Sequence, residues 1–141
     1  MADSFSQSFI IEGKNYFNAG KASTEIKSML KQLGIAPPVI RRVAIAAYEA
    51  EMNVVMYARR ATMTFTMTPA TIMLSVKDEG PGISDIAMAM QEGFSTATNE
   101  MREMGFGAGM GLPNIKRNSD NLKIESIVGT GTKLEITINI N

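Results

Sequence analysis

Met104-Gly105-Phe106-Gly107-Ala108-Gly109-Met110-Gly111-Leu112 places glycine at every second position of the run. Backbone without side chains can turn where other residues cannot, and it lets a ligand come close. Leu112, Ile115, Lys116 and Arg117 follow at helix-compatible spacing. A glycine-rich turn entering a helix N-terminus offers unbonded N–H groups and the positive end of a helix dipole, which suits phosphate. Taken alone, the run would serve equally well as a flexible linker. Two further stretches decide between these readings.

The 141-residue chain is expected to form one domain over residues 1–141, long enough to bury a core without staples. Its 14 basic and 14 acidic residues cancel, so no charge excess points to nucleic acid or a membrane surface. Cysteine and histidine are both absent, which removes thiolate metal sites, the usual general base and the commonest metal ligand. Acid–base chemistry therefore falls to carboxylates, lysines or tyrosines. Met1-Ala2-Asp3-Ser4-Phe5-Ser6 has no basic-then-apolar leader pattern, and no apolar run reaches membrane-spanning length. The expectation is a cytoplasmic protein that binds neither nucleic acid nor membrane.

Element types alternate along the chain. Residues 7–12 read as a strand, and residues 17–33 as a helix stopped by Gly34. A longer helix is expected over 38–57, begun by prolines where a helix tolerates them. Residues 61–68 and 71–76 read as a hairpin around Pro69-Ala70. Residues 78–82 suit a tight turn, 83–91 a short helix, and 93–103 a polar loop. A helix to about residue 120 follows the glycine run. Strands over 123–128 and 133–140 then close around Gly129-Thr130-Gly131. The sum is α+β: a two-layer α/β sandwich, its mixed sheet mostly antiparallel, with helices on one face.

Ile40, Val43, Ala47, Ala50, Val54 and Tyr57 give the long helix a core face. Ala46, Met52 and Met56 leave the neighbouring sector poor in charge, so cover on more than one side is expected. Glu49 and Asn53 are set into this surface one turn apart. A carboxylate and an amide on a covered helix need partners. Hydrated Mg²⁺ is a suitable one: Asn53 can supply a hard oxygen ligand, and Glu49 can accept a proton from an attacking hydroxyl. An ordinary helix-edge pair is the plainer account of these two residues alone. Glu51, the rival acid, lies about 160° around the helix from Asn53.

Asp78-Glu79-Gly80-Pro81-Gly82 follows a strand directly. A strand-end aspartate can accept a hydrogen bond from an exocyclic amine such as adenine's, and Gly80 and Gly82 would let a flat ring approach. A plain turn uses the same residue types. Gly93-Phe94-Ser95-Thr96 and the polar loop with Arg102 lie between glycine hinges, where a lid could close over a triphosphate. Gly129-Thr130-Gly131-Thr132 reads as a hairpin turn whose Thr132 can reach the base.

In that order, Glu49-x-x-x-Asn53, Asp78-x-Gly80-x-Gly82, the glycine run and Gly129-x-Gly131-Thr132 resemble the four boxes of the GHKL (Bergerat-fold) ATPases. That superfamily includes gyrase and the histidine kinases. The small size resembles its bacterial group of anti-sigma factors and switch-protein serine kinases. Glu92-Gly93-Phe94-Ser95-Thr96 and Gly111-Leu112-Pro113-Asn114-Ile115-Lys116-Arg117 are especially similar to the stressosome-pathway kinase of that group. The resemblance covers residues 38–138.

The resemblance implies a histidine-kinase-like ATPase fold with ATP and Mg²⁺ as cofactors. Asn53 would ligate Mg²⁺, and Glu49 would be the catalytic residue, acting as general base or orienting the nucleophile. Asp78 would bind the adenine amine, with Gly80 and Gly82 beside the ring and Thr132 in support. Gly105, Gly107, Gly109 and Gly111 would cradle the phosphates. Ser95, Thr96 and Arg102 complete the nucleotide-binding candidates, Arg102 as the basic lid residue. Residues 97–104 make the lid longer than in that group. The implied function is a serine/threonine kinase that phosphorylates a STAS-domain anti-anti-sigma or stressosome-type protein. Two alternatives stay open: a nucleotide-gated anti-sigma factor that sequesters a sigma factor, and an ATP-sensing subunit. A homodimer is compatible with each.

Overall fold

The structure is a computed structural model that describes residues 4–91 and 111–140. Its frame is a five-stranded sheet with strand order β1-β2-β3-β5-β4. The strands are β1 (Phe5–Glu12), β2 (Arg60–Met67), β3 (Thr71–Glu79), β4 (Asn121–Ile127) and β5 (Gly131–Asn139). Every pairing among them is antiparallel. Alternation puts Ile11, Ala61, Met63, Phe65, Leu74, Val76 and Ile136 on one face, all buried. The other face carries hydroxyl pairs, Ser6 with Thr66 at 3.1 Å and Ser8 with Thr64 at 3.0 Å.

Helices α1 (Lys21–Gln32) and α2 (Pro37–Tyr57) supply the opposing layer through Ile26, Leu30, Val43, Ala47, Ala50 and Val54. A four-residue helix, α3 (Ile86–Ala89), and a seven-residue one, α4 (Gly111–Arg117), complete the described elements. Pro37 opens α2, where its missing N–H would have had no helical acceptor. Ala46, Met52 and Met56 are buried with the core face, so α2 is covered on several sides, whereas Tyr57 is only half-buried.

Several element boundaries differ from the sequence expectation. The first helix begins at Lys21, after a single 3₁₀ turn at Tyr16–Asn18, because Gly20 adopts a left-handed φ of 94°. Buried Glu51 fixes that break. Its carboxylate accepts from the backbone N–H groups of Gly20, Ala22 and Ser23 at 3.1, 3.2 and 2.9 Å. Those are the donors that a helix start leaves without partners. The carboxylate that stood as the rival acid therefore caps α1.

Strand β3 also runs further than expected. Asp78 and Glu79 pair with Ala61 and Arg60, so the turn begins only at Gly80. The short helix of 83–91 shrinks to α3, capped by Asp85, whose Oδ1 accepts from Met88 N at 3.0 Å. Ile83 stays outside it, its N–H donating instead to Ser126 Oγ.

Candidate nucleotide-binding site

Helix α2 turns two half-buried polar side chains toward α4. Glu49 Oε2 accepts a hydrogen bond from Asn114 Nδ2 at 3.1 Å, and Asn114 Oδ1 accepts from Arg117 Nη1 at 3.0 Å. The second oxygen of Glu49 has no partner among the described residues. One turn along, the Asn53 amide makes no hydrogen bond among the described residues. Gly111 lies against it: a Cβ there would stand 3.1 Å from Asn53 Oδ1. Gly111 thus lets the backbone approach an amide oxygen that, among the described residues, has no hydrogen-bond donor.

At the other end stands Asp78, half-buried near the end of β3. Thr132 N donates to Asp78 Oδ1 at 2.9 Å, while Oδ2 has no partner among the described residues. Burial pushes the Asp78 carboxyl above the ordinary aspartate range, and the Thr132 N–H opposes that rise only in part. A Cβ on Gly131 would collide with the Asp78 carbonyl oxygen. At Gly82, with φ +76°, a Cβ would stand 2.5 Å from the carbonyl oxygen of Ile127. Only glycine lets the two segments touch in this way.

Backbone bonds then stitch the turn after β3 to the hairpin of β4 and β5. Gly80 N donates to Thr130 O at 3.1 Å and Gly129 N to Pro81 O at 2.8 Å. Ile83 N donates to Ser126 Oγ at 2.7 Å, and Ser126 Oγ lies 2.9 Å from Thr132 Oγ1. Gly80 also packs on the end of α2, where its Cβ would meet Ala58 Cα at 3.1 Å. One helix therefore carries Glu49 and Asn53 and abuts the turn beside Asp78.

The structure brings Glu49, Asn53 and Gly111 together, and separately Asp78, Gly80, Gly82 and Thr132. Ser95, Thr96, Arg102, Gly105, Gly107 and Gly109 lie outside the described residues. Sequence reasoning gave no role to Asn114, Ser126 or the cap made by Glu51. Asn114 carried a usable signal, standing one helical turn beyond Gly111 on the side that must meet α2. Ser126 and Glu51 act on residues with no local pattern to mark them.

An adenine nucleotide with Mg²⁺ fits this chemistry. Asp78 Oδ2, unpaired among the described residues, can accept from an amine, and Asn53 offers a hard oxygen donor. A single amide oxygen from the protein suits an ion that retains water and phosphate ligands.

An antiparallel sheet with helices on one face, and with Glu49, Asn53 and the turn beside Asp78 gathered along the C-terminal half of its longest helix, describes a nucleotide-binding ATPase domain. The chain belongs to the histidine kinase-like ATPase domain family, whose pattern matches residues 16–138. Over 113 residues it is 29% identical to the serine/threonine-protein kinase RsbT of Bacillus subtilis (strain 168), which covers 77% of this chain and 79% of that one. Over 125 residues it is 31% identical to the anti-sigma F factor of Caldanaerobacter subterraneus subsp. tengcongensis, covering 85% and 84%. A mycobacterial sensor histidine kinase, MprB, shares the fold at a TM-score of 0.54 and 13% identity, covering 96% of this chain and 97% of that one. The family read from the four motifs and the α+β class are both borne out.

Proposed function

We propose that the chain is an ATP-dependent serine/threonine protein kinase of a cytoplasmic partner-switching pathway. It would move the γ-phosphate of ATP to a serine or threonine of a STAS-domain protein. The observation that carries this reading is the pair on α2. Among the described residues, Glu49 keeps one carboxylate oxygen without a partner, one turn from an Asn53 amide that makes no hydrogen bond. A serine/threonine-protein kinase among the relatives supports the reaction class.

Mg²⁺ held by Asn53 would neutralise charge on the transferring phosphoryl group. Glu49, oriented by Asn114, would take the proton of the acceptor hydroxyl. Asp78 would accept the adenine amine through Oδ2, with Thr132 fixing the other oxygen. Phosphoryl transfer asks mainly for positioning and charge neutralisation, so a chain without histidine suffices.

The test is transfer of labelled γ-phosphate from Mg-ATP to a panel of STAS-domain proteins, with Glu49→Gln beside the wild type. We expect label on a partner serine or threonine, and about a 100-fold slower rate in the variant. Unlabelled partners with ATP still bound would shift the assignment to a nucleotide-gated factor that sequesters a sigma subunit. The anti-sigma F factor relatives favour that second reading.

A further inference from the structure

A cavity of about 410 Å³ opens beside β1, and none of the described nucleotide-site candidates lines it. Phe9 and Ile11 of β1, Ala22 of α1 and Val55 of α2 give it an apolar sector, beside which Asn15, Asn18 and the buried Glu51 also line it. Glu12, Lys21 and Glu25 are exposed at its mouth. Neither Glu12 nor Glu25 forms an ion pair among the described residues, and together with Lys21 they leave the mouth with an excess negative charge.

The cavity lies along an open sheet edge. β1 is the outermost strand, and no described strand pairs with its free side. Such an edge presents a row of backbone donors and acceptors, and natural sheets guard it with charges, proline or bulges. The opposite edge, β4, exposes Lys123 and Glu125. β1 has no such guard. It pairs with β2 without a break from Phe5 to Glu12, contains no proline, and bears its one charge at the last position.

We infer that the groove between the free edge of β1 and the first turns of α1 receives an extended segment of a partner protein, which adds a sixth strand to the sheet. In this mode the main chain bonds to the edge while alternate side chains enter the pocket. The apolar sector of Phe9, Ile11, Ala22 and Val55 takes an aliphatic or aromatic side chain. The mouth takes a neighbouring lysine or arginine against Glu12 and Glu25. A second copy of β1 is a poorer occupant, since Phe5–Glu12 contains no basic residue and brings an acid of its own. This inference stands independently of the kinase reading, because it uses none of the same residues.

The test selects a display library of random twelve-residue peptides on the full chain, then measures binding of the enriched peptide by fluorescence anisotropy. Enriched sequences should alternate apolar residues and carry a lysine or arginine, and binding should slow amide exchange in β1. Glu12→Lys combined with Glu25→Lys, both exposed, should weaken the peptide about tenfold. Ala22→Leu, which pushes a side chain into the cavity, should weaken it similarly while circular dichroism shows an intact fold. Lack of enrichment, or peptides indifferent to both variants, overturns the inference. Sedimentation showing a dimer that Ala22→Leu dissociates also overturns it, in favour of a second copy.

Discussion

The two ends of the candidate site are built in opposite ways. Around Asp78 the geometry is set by backbone, with the turn after β3 and the β4–β5 hairpin bonded at Gly80, Gly129, Ile83 and Thr132. Around Asn53 it is set by side chains on two helices, and among the described residues only Glu49 is tied across, through Asn114. Among the described residues, the first end is a socket with one acceptor left unpaired, and the second is a set of oxygen ligands that still lack partners. A rigid socket can hold a base whatever happens to the phosphates, whereas the open end is complete only with ligand in place. On this design base recognition and phosphate chemistry should separate under mutation.

Asn53→Ala should break the comparison most strongly. We expect Mg²⁺-dependent ATP affinity to fall on the order of a hundredfold, with adenosine binding unchanged when followed by calorimetry. Equal losses for ATP and adenosine would show that the two ends are one unit.

Asp78→Asn should come next, weakening ATP roughly tenfold, about the value of a hydrogen bond to a charged group, and sparing GTP. Its pH dependence sharpens the point. Because burial raises the folded-state carboxyl, protonation favours the fold. That stability contribution is full below the unfolded pKa and is lost as pH rises through the folded value. Nucleotide affinity should run the other way, falling as pH drops through the same raised value, since a protonated carboxyl is a poorer acceptor. A titration of ATP affinity that stays equally steep in Asp78→Asn would contradict this assignment.

The smallest effect is expected from Ser126→Ala, which leaves the Ile83 N–H without its acceptor. About 1 kcal/mol of stability should be lost, read as a lower urea midpoint, with ATP affinity reduced only slightly.

Much of this was legible in the sequence, and what was missed has a common cause. The apolar spacing of α2 and the alternation in β2 are local patterns, and they marked the core face and the strands. Glu49 and Asn53 were legible as neighbours because one helical turn relates them. Asn114, by contrast, meets Glu49 from 65 positions away. Glu51 acts on Gly20, Ala22 and Ser23 across 28 to 31 positions, and no periodicity announces a buried cap. Asp78 and Glu79 look like turn residues by composition. They remain in β3 because β2 continues beside them and because the Thr132 N–H binds the Asp78 carboxylate.

The position of β1 has a consequence for the order of folding. β2 and β3 are joined by a short turn, as are β4 and β5, whereas Phe5 finds Met67 only after α1 and α2 have been traversed. Closing that loop costs more chain entropy than closing a hairpin, so β1 should dock late. A strand that docks late onto one neighbour is also among the first to peel away. Native-state hydrogen exchange should therefore find the β1 amides opening sub-globally, while those of β3 and β5 exchange only through complete unfolding. Matching protection in all three strands would refute that order. Otherwise the molecule has a partly unzipped form in which the nucleotide socket survives the loss of its outermost strand.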